Sequence, residues 1–524
     1  MLLTENLKTD VLKNFNARDF DLAEQKAQFL VSKGFSDPWL CNILAVIFAK
    51  QKKFTLASKY FKILVDLYPE DSENYFNLGN LYRDSEDNDN AIKYYKLSLE
   101  KNSKSYETLM ELSKVFLKVK KIDKAIFYAE KAQKIKTNLN EPDSIIAQSL
   151  FLKGKFENSL KIYQGILKSC SNSDKEKINI NISSNLIELG KLTEAKKLLS
   201  NLKTKQAKYN LSLINLKNGN LVEGWSGYDD GIEIETRAIR QYDKVSNILP
   251  LWSPNKSYKS ILVLGEQGLG DEIMFFPLLK NLFKNNLKVG LLMDRRLKSL
   301  FSRSLPGHDF FEDINQALNK GYDSFIPIGS LCKYFLREHA DFLKNSVYLS
   351  ANKEKVKSLV KLYKSNKPII GISWHSESLS HGHMRNIKLQ NFFKIFKEIN
   401  ADFINLQYGD KKAEIYNLDK KYNKSIFLSD EIDNRNDLEG LAAKISICDL
   451  VISIDNSTLH FAGSLNKKTY GLIPKVSDWR WMNYSNSTPW YQSVTILRQS
   501  DNWENVIYNL YDICKNKFNN YVLT

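Results

Sequence analysis

Residues 261–272 read Ile-Leu-Val-Leu-Gly-Glu-Gln-Gly-Leu-Gly-Asp-Glu. An apolar run, a glycine-rich turn and then an apolar helical segment together predict a buried parallel strand that ends at a ligand crevice. Glycine tolerates the backbone angles and the close approach that such a turn requires. The turn therefore places five candidate residues at the crevice: Glu266, Gln267, Gly268, Gly270 and Asp271. Its spacing differs from the G-x-G-x-x-G fingerprint, which disfavours a nicotinamide enzyme.

Around this turn, short apolar runs alternate with helix-length segments through the C-terminal half of the chain. The predicted strands are 261–264, 289–293 and 324–328 in a first set, and 369–374, 403–407, 425–428, 450–454 and 469–473 in a second. Strands separated by helices imply parallel sheets that are covered by helices. A polar stretch at 364–368 predicts a hinge between two α/β lobes, with a cleft between them. The last helix, from about 503 to 516, is expected to cross back onto the first lobe.

The N-terminal half repeats with a period of 34 residues. The columns that keep this period hold leucine, an aromatic residue and alanine: Leu44, Leu78 and Leu112; Phe48, Tyr82 and Phe116; Ala57, Ala91 and Ala125. Residues 75–95 resemble a tetratricopeptide helix pair, and such units stack into a superhelix with a concave groove. A plain helical bundle is the alternative, but it does not explain three columns with one period.

Composition limits the class of protein. A chain of 524 residues is too long for one core, so several domains are expected. The net charge of +16 is spread among glutamates, which favours a solvated surface with a local anion site over a nucleic-acid-binding protein. No apolar run approaches the roughly 20 residues of a membrane helix, so we expect no integral membrane segment and a cytoplasmic location. The five cysteines lack C-x-x-C spacing and predict neither disulfides nor zinc.

A second motif occupies residues 452–463, Ile-Ser-Ile-Asp-Asn-Ser-Thr-Leu-His-Phe-Ala-Gly. It predicts a buried strand ending at Asp455, followed by a helix that begins at Asn456, Ser457 and Thr458 and carries His460 on its first turn. Free amides at a helix start suit a diphosphate. Ordinary capping with a core histidine is the alternative interpretation.

Three smaller clusters add candidates. Trp374 and His375 end a predicted strand, and Arg385 follows the loop 381–383, which suits a lid over phosphates. A surface arginine that pins this loop is the alternative interpretation. No carboxylate or cysteine accompanies these histidines at ligand spacing, so no metal is expected. The aromatic residues around Arg480 could flank a nucleobase or sugar, or could pack the lobes together. The triplet 87–89 mimics a metal-binding D-x-D signature but falls in a turn between repeat helices, where a solvated turn is the simpler explanation.

Together these motifs resemble a bacterial family that joins tetratricopeptide repeats to a heptosyltransferase-like glycosyltransferase of the family 9 type, with a GT-B fold. The matching residues are Gly224-Trp225, 266–271, Trp374, Arg385 with Ile387 and Leu389, Leu406-Gln407, 449–463 and 478–481. More distantly, the layout is similar to repeat-bearing protein O-glycosyltransferases, including those that modify flagellin. The resemblance implies three domains: a repeat superhelix over 1–235, an acceptor-side lobe over 236–366 and a donor-side lobe over 367–524.

The resemblance also implies an activity and its residues. It implies a metal-independent transferase without a cofactor, which takes a nucleotide sugar as donor and binds an acceptor protein or glycan partly in the repeat groove. By motif match, Asp271 is the general base. The implied donor-binding residues are Trp374, His375, Arg385, Asp455, Asn456, Ser457, Thr458 and His460, with weaker cleft contacts from Glu266, Gln267, Gly268, Gly270, Gln407 and Arg480. Lipopolysaccharide or capsule assembly, and a non-catalytic scaffold, are the alternatives.

Overall fold

The computed structural model describes residues 2–35, 37–266, 268–283, 287–344, 349–378, 382–423, 425–483 and 486–518. The chain forms two compact units, a helical unit (Met1–Leu189) and an α/β unit (Gly190–Thr524). The regular elements of the helical unit are α-helices, whereas the α/β unit contains two parallel sheets.

Successive helices of the helical unit pack against each other along the chain. They are α1 (Leu2–Asn16), α2 (Phe20–Ser32), α3 (Pro38–Lys50), α4 (Phe54–Leu67), α5 (Ser72–Asp84), α6 (Asn88–Lys101), α7 (Tyr106–Lys118), α8 (Ile122–Ile135), α9 (Glu141–Leu152), α10 (Phe156–Ser169) and α11 (Lys175–Glu188). Helix pairs related by 34 residues bury the same columns, since Leu44, Leu78 and Leu112 are all fully buried. The predicted helical repeats are present.

Small residues at the helix crossings allow close packing within a repeat. A Cβ atom built on Gly79 would lie 2.4 Å from the ring of Tyr95, so only glycine fits where α5 meets α6. Asp87 precedes α6 and accepts a hydrogen bond from the amide of Asn90 at 3.1 Å. The D-x-D-like triplet at 87–89 is therefore the beginning of a helix, with Asp87 as its N-cap.

The α/β unit begins with further helices. They are α12 (Leu192–Leu199), α13 (Lys205–Lys217), α14 (Leu221–Tyr228), α15 (Asp230–Glu233) and α16 (Tyr242–Ser246). Of these, α12 to α15 lie within the repeat region predicted over 1–235, and that boundary stays a prediction. In the structure they belong to the α/β unit, and Leu216, Trp225 and Tyr228 are buried in the same apolar core as the first sheet.

The first sheet has four parallel strands in the order β3-β2-β1-β4. The strands are β1 (Ser260–Leu264), β2 (Lys288–Leu292), β3 (Asp309–Phe311) and β4 (Phe325–Pro327). The helices of this region are α17 (Leu269–Phe275), α18 (Leu279–Phe283), α19 (Lys298–Ser304), α20 (Ile314–Leu318), α21 (Cys332–Phe335), α22 (His339–Lys344) and α23 (Lys353–Tyr363). β1 is buried along its whole length, as its apolar run predicts. β3 was not predicted.

The second sheet has six parallel strands in the order β10-β9-β8-β5-β6-β7. The strands are β5 (Ile369–Ser373), β6 (Asp402–Asn405), β7 (Phe427–Leu428), β8 (Leu450–Ile454), β9 (Thr469–Ile473) and β10 (Val494–Arg498). Its helices are α24 (Gly382–Arg385), α25 (Phe393–Glu398), α26 (Lys412–Tyr422), α27 (Leu438–Ile447), α28 (Ser457–Ser464) and α29 (Trp503–Phe518). β10 was not predicted, whereas the other five match predicted strands closely.

One apolar core joins the two sheets. It contains Ile261 and Val263 of β1 together with Leu438, Leu441 and Phe461 from the second-sheet region. The last helix differs from the expectation that it crosses onto the first lobe. Val506, Ile507, Leu510 and Tyr511 of α29 are buried in the core of the second sheet, since its apolar side fits that face. The division of the α/β unit at residue 366 stays a prediction.

None of the helices in the described ranges is both long enough and apolar enough to cross a membrane.

Candidate functional site

The α/β unit contains a polar cavity of about 500 Å³ at the C-terminal ends of its strands. The segments that line it follow β1, β2, β5, β6, β7, β8 and β9. In parallel sheets these strand ends share one edge, which is where α/β proteins bind ligands. The volume falls within the range of small-molecule sites. The cavity brings together Gly268, Gly270, Asp271, Arg385, Asp455, Asn456, Ser457, His460 and Arg480, all of which were candidates from sequence.

Asp271 is held by Arg480. Arg480 follows β9 and donates a hydrogen bond from Nε to Oδ1 of Asp271 at 2.7 Å, and its Nη2 lies 2.6 Å from the same oxygen. Oδ2 lies on the side of Gly268, where an added Cβ would come within 3.0 Å of it. One carboxylate oxygen is therefore oriented by Arg480 while the other lies beside a glycine that lines the cavity.

The ion pairs continue from Arg480 across the second sheet. Arg480 also donates from Nη1 to Oδ1 of Asp478 at 2.7 Å. Arg385 lies between Asp455, with Nε 3.1 Å from Oδ2, and Asp478, with Nη2 3.7 Å from its Oδ2. Three carboxylates and two guanidinium groups thus alternate along the cavity, so each charge is near an opposite one, as burial requires.

Asp455 follows β8 directly and is the last carboxylate of this network. Its Oδ1 accepts a hydrogen bond from the indole nitrogen of Trp481 at 2.7 Å. The ring of Trp481 stacks on His460 with ring centroids 5.0 Å apart. The sequence left open whether the aromatic residues near Arg480 contact a ligand or pack the protein together. Trp479 and Trp481 are buried, and Trp481 supports Asp455 and His460.

His460 is held in a defined orientation on α28. Its Nδ1 lies 2.9 Å from the hydroxyl of Tyr491, and Gly270 packs against its ring, where a Cβ would lie 2.9 Å from Cδ2. Burial, aided by the charge of Arg480, lowers the pKa of His460 to about 3. The ring is therefore neutral at physiological pH and acts as a hydrogen-bonding group.

Asn456 caps α28 and uses part of the predicted anion site. Its side-chain oxygen accepts from the amide of Thr458 at 3.0 Å, and its carbonyl accepts from the amide of Leu459 at 3.1 Å. Thr458 is fully buried, with its hydroxyl 3.4 Å from the carbonyl of Leu406. Thr458 therefore supports the helix from the interior, whereas Ser457 lines the cavity.

The pKa values of Asp271 and Asp455 are raised, whereas the pKa of Asp478 is lowered. Burial raises the pKa of Asp271, with Arg480 opposing the rise and Glu266 adding to it. Burial also raises the pKa of Asp455, against the effect of Arg385. Burial acts in the same direction on Asp478, but Arg480 and Arg385 hold the pKa of Asp478 well below its usual range. Asp478 is therefore the fixed anion of the network, and Asp271 and Asp455 are better suited than Asp478 to take up a proton.

Besides Thr458, three buried sequence-based candidates lie away from the cavity wall. Glu266 is buried and forms an ion pair with Arg237 at 2.6 Å, so the expected position at the crevice mouth is corrected: it stabilises the core behind the turn. Trp374 is fully buried, and its indole nitrogen donates to Glu414 at 3.0 Å. Gln407 is buried and binds the backbone on either side of Trp374 and His375, for example by accepting from the amide of His375 at 2.8 Å.

These corrections share one physical reason. A side chain at a strand end points either to the cavity or to the core under it, and buried polar groups need partners that the core supplies. His375 is half-buried, and its backbone is held by Gln407. Gln267 and His381 lie outside the described residues.

The structure adds residues that the sequence analysis missed. Arg296 follows β2 and enters the cavity, with Asp294 accepting from its Nε and Nη2 at 2.9 Å each. Its Nη1 donates to the carbonyl of Arg435, another cavity residue, at 2.9 Å. Tyr408 follows β6. The signal was available, because each of these residues closely follows a strand.

Two other missed residues act from the interior. Lys444 of α27 is fully buried, with Nζ 3.0 Å from Oδ2 of Asp430 and 3.0 Å from the side-chain oxygen of Asn434, which lines the cavity. Glu272, next to Asp271, pairs with Arg240 and accepts from the amide of Asp294 at 3.0 Å. Burial raises the pKa of Glu272 to about 7. A lysine on a helix and a second glutamate give no sequence signal of burial.

Within the described ranges, no group of three or more His, Cys, Asp or Glu side chains is arranged to hold a metal ion. The expected independence of metal stays a prediction.

The repeat region matches a known family. Residues 72–104 match the family model for the tetratricopeptide repeat, which confirms the predicted repeats. Repeats of this kind usually mediate protein interactions. Two solved structures are similar to part of the chain. A tetratricopeptide repeat protein from Parabacteroides merdae covers 44% of this chain and 92% of its own, at 14% identity and a TM-score of 0.39. MamA covers 33% and 94%, at 20% identity and a TM-score of 0.30.

Two known protein sequences are similar to parts of the chain. Protein FlbA of Caulobacter vibrioides is 26% identical over 310 residues, which covers 55% of this chain and 51% of FlbA. The anaphase-promoting complex subunit CDC16 of Saccharomyces cerevisiae is 33% identical over 124 residues, or 22% of this chain and 15% of CDC16. The chain thus spans about half of one relative and under a fifth of the other.

Proposed function

We propose that the α/β unit is a metal-independent glycosyltransferase of the GT-B type, which moves a sugar from a nucleotide-sugar donor to an acceptor hydroxyl. The acceptor is a protein such as flagellin, selected by the tetratricopeptide repeats. The observation that carries the proposal is the cavity in which Asp271 faces Arg385, Ser457 and His460 across the strand ends of two parallel sheets.

Asp271 takes the role of general base. Arg480 orients its carboxylate through Oδ1, and the other oxygen lies beside Gly268 at the cavity wall. The acceptor hydroxyl gives its proton to this carboxylate as its oxygen forms a bond to the anomeric carbon. The bond from that carbon to the donor phosphate then breaks, and the electron pair leaves with the nucleotide diphosphate. Burial raises the pKa of Asp271 above its usual range, which makes its carboxylate a stronger base.

The second sheet supplies the groups for the leaving diphosphate. Arg385 presents a guanidinium whose planar geometry matches phosphate oxygens. Ser457 begins a helix whose positive end faces the cavity. His460, neutral and fixed by Tyr491, can donate a hydrogen bond from its Nε2 to a sugar or phosphate oxygen. These groups stabilise the charge that develops on the leaving group.

The test uses the full-length protein and a panel of nucleotide sugars, with nucleotide release as the readout. Release is compared without acceptor, with cell extract, with protease-treated extract and with a glycolipid fraction. Release that needs extract and is lost on protease treatment supports the proposal. Release driven by glycolipid indicates lipopolysaccharide or capsule assembly instead. If calorimetry detects no binding of any donor, the cavity is not a transferase site, and the chain acts as a scaffold.

A matched pair of variants tests the donor side. Arg385→Gln removes a guanidinium from the cavity and is expected to weaken nucleoside diphosphate binding by about tenfold or more, because a charged hydrogen bond contributes about 1.5–3 kcal/mol. Lys388→Gln removes a positive charge three residues away, from an exposed side chain, and is expected to leave binding unchanged. Equal effects of the two variants would place the diphosphate elsewhere.

A further inference from the structure

We infer that the helix pair α13–α14 positions the guanidinium of Arg480 through Trp479, so that Trp225 and Tyr228 are positioning residues for the cavity. The inference rests on the proposed function for its activity readout, and the experiment below separates the two. It assigns a role in catalysis to helices whose sequence continues the repeat region.

Trp479 lies between the helix pair and Arg480. Its ring meets Trp225 edge to face, with centroids 5.6 Å apart and planes at 88°, and meets Tyr228 at 5.5 Å and 67°. These distances fall in the favourable range for aromatic pairs. The guanidinium carbon of Arg480 lies 4.6 Å from the centroid of the Trp479 ring. The indole therefore transmits the position of α14 to Arg480.

The helix pair is itself held firmly. Gly224 packs against Leu216, where a Cβ would approach to 2.5 Å, so α13 and α14 cross closely just before Trp225. The guanidinium carbon of Arg237 lies 4.0 Å from the ring centroid of Tyr228. Arg237 in turn forms ion pairs with Glu266 at 2.6 Å and Asp229 at 2.8 Å. Glu266, which the sequence placed in the crevice, therefore holds Arg237 against the ring of Tyr228.

A second connection joins α13 to the loop that carries Arg480. The amide of Asn483 donates to the carbonyl of Lys217, the last residue of α13, at 2.8 Å. Met482, which lies between Arg480 and Asn483 in the sequence, has a φ of 44°, in the left-handed region that non-glycine residues rarely adopt. Arg498 donates to the carbonyls of Trp481 and Met482. Such a backbone persists only where its surroundings determine it, so the loop depends on these outer contacts.

The position of Arg480 matters because the group it orients would react. Its Nε and Nη2 both bind Oδ1 of Asp271, and its Nη1 binds Asp478. A displacement of about 1 Å in a catalytic group can lower the rate by about a hundredfold. Loosening Trp479 is therefore expected to act on turnover rather than on donor binding.

The experiment is a double-mutant cycle in the full-length protein. Trp225→Leu removes the edge contact to Trp479 and is expected to lower kcat by about tenfold or more with little change in KM. In the Arg480→Lys background the same change is expected to have no further effect, because the group it positions is gone. Trp225→Phe retains a ring edge and is expected to restore most of kcat.

Trp252→Leu is the matched control. Trp252 is buried in the same core but packs against Tyr334, and neither side chain lines the cavity. It should cost a similar loss in Tm, leave kcat near the wild-type value and act independently of Arg480→Lys. If Trp225→Leu behaves like Trp252→Leu, or lowers kcat equally in both backgrounds, the inference is wrong. If Trp225→Leu does not fold, Tyr228→Leu replaces it in the cycle.

Hydrogen exchange supplies a readout that does not need turnover. The segment 478–483 is expected to exchange faster in Trp225→Leu than in Trp252→Leu, and equal exchange overturns the inference. A wild-type protein that turns over no nucleotide sugar overturns the proposed function alone. Loss of turnover in Arg480→Lys with normal turnover and normal exchange in Trp225→Leu overturns the inference alone.

Discussion

Arg480 binds one oxygen of Asp271 with a hydrogen bond from Nε at 2.7 Å and an ion-pair contact from Nη2 at 2.6 Å, across 209 residues of sequence. The contact joins the turn after β1 to the loop after β9 and so connects the strand ends of the two sheets. The two oxygens of this carboxylate have different surroundings: Arg480 orients Oδ1, whereas Oδ2 lies beside Gly268 at the cavity wall. This arrangement makes Asp271 the first residue to test.

Asp271→Asn is expected to abolish most turnover and to preserve the structure. The amide oxygen can still accept from Arg480, but the side chain can no longer take up a proton. General-base catalysis contributes about 10²–10⁴-fold, so kcat should fall within that range while donor affinity stays near wild type. Steady-state kinetics and calorimetry measure the two quantities.

The control for this variant is Asp87→Asn in the helical unit. Asp87 caps α6, and asparagine caps a helix equally well, so neither stability nor turnover should change. Wild-type kcat in Asp271→Asn would exclude Asp271 as the base.

The buried His460 should make stability depend on pH. Its pKa is about 3 in the folded protein, against 6.5 for an ordinary histidine. As the pH falls below 6.5, the unfolded chain binds a proton that the folded protein does not, so stability is lost between pH 6.5 and pH 3. The loss at pH 5 relative to pH 8 is about 2 kcal/mol, and His460→Gln removes it.

Urea unfolding followed by tryptophan fluorescence measures this difference. Trp39 lies in the helical unit and the other seven tryptophans lie in the α/β unit, so the signal reports mainly on the unit that contains His460. His339→Gln, at an exposed site, should retain the pH dependence of the wild type. Parallel curves for wild type and His460→Gln would show that the buried ring titrates normally.

Lys444→Met should destabilise the α/β unit strongly. Lys444 is buried beside Asp430, whose side chain is 6% exposed, and its removal leaves that carboxylate without its cation. Breaking such a buried pair costs about 3–5 kcal/mol. Asp430→Asn in the same chain should recover part of the loss, because it also removes the buried negative charge.

Lys357→Met provides the comparison in urea unfolding. Lys357 pairs with Glu354 on the surface, where both side chains are more than half exposed, so its loss should change stability by less than about 1 kcal/mol. Similar effects at the two lysines would contradict the burial of Lys444.

Two glycines of the helical unit should respond in opposite ways to alanine. At Gly79 an added Cβ would meet the Tyr95 ring at 2.4 Å, so Gly79→Ala should destabilise the unit by about 1–3 kcal/mol. At Gly165, in the middle of α10, no described atom beyond its own neighbourhood lies within 4 Å. Gly165→Ala should therefore stabilise by about 1 kcal/mol.

Circular dichroism at 222 nm during urea unfolding follows both variants. Both variants add the same methyl group. The sign of the change in the free energy of unfolding therefore reports whether there is space for the added Cβ atom. A stabilising Gly79→Ala would mean that α5 and α6 are not packed as closely as the structure shows.

The strands were predictable where an apolar run is long enough to be buried on both faces. β1 and β8 are five-residue runs of this kind, and both were predicted. β3 has three residues and follows a polar turn, so periodicity could not distinguish it from a loop. β10 follows a loop rich in tryptophan, and only three of its five residues are buried, so its apolar run is shorter than those of β1 and β8.

The candidate site was predictable as a set of strand ends but not as a set of contacts. Asp271, Asp455 and Ser457 follow apolar runs, and the cavity does contain them. Glu266 and Trp374 carry the same signal but turn into the core, where Arg237 and Glu414 bind them. The direction of a side chain at a strand end depends on partners that are distant in sequence, and a single sequence does not reveal them.

The sequence by itself determined the helical repeats, the alternation of strands and helices and the edge of the sheets at which polar residues collect. These follow from local periodicity and turn chemistry, which act over a few residues. The tertiary structure alone decided that Arg480 binds Asp271, that His460 is buried and neutral, and that α13–α14 pack under Trp479. Those properties depend on burial and on pairing of charges from distant segments, because the free energy of a buried group is set by whatever surrounds it.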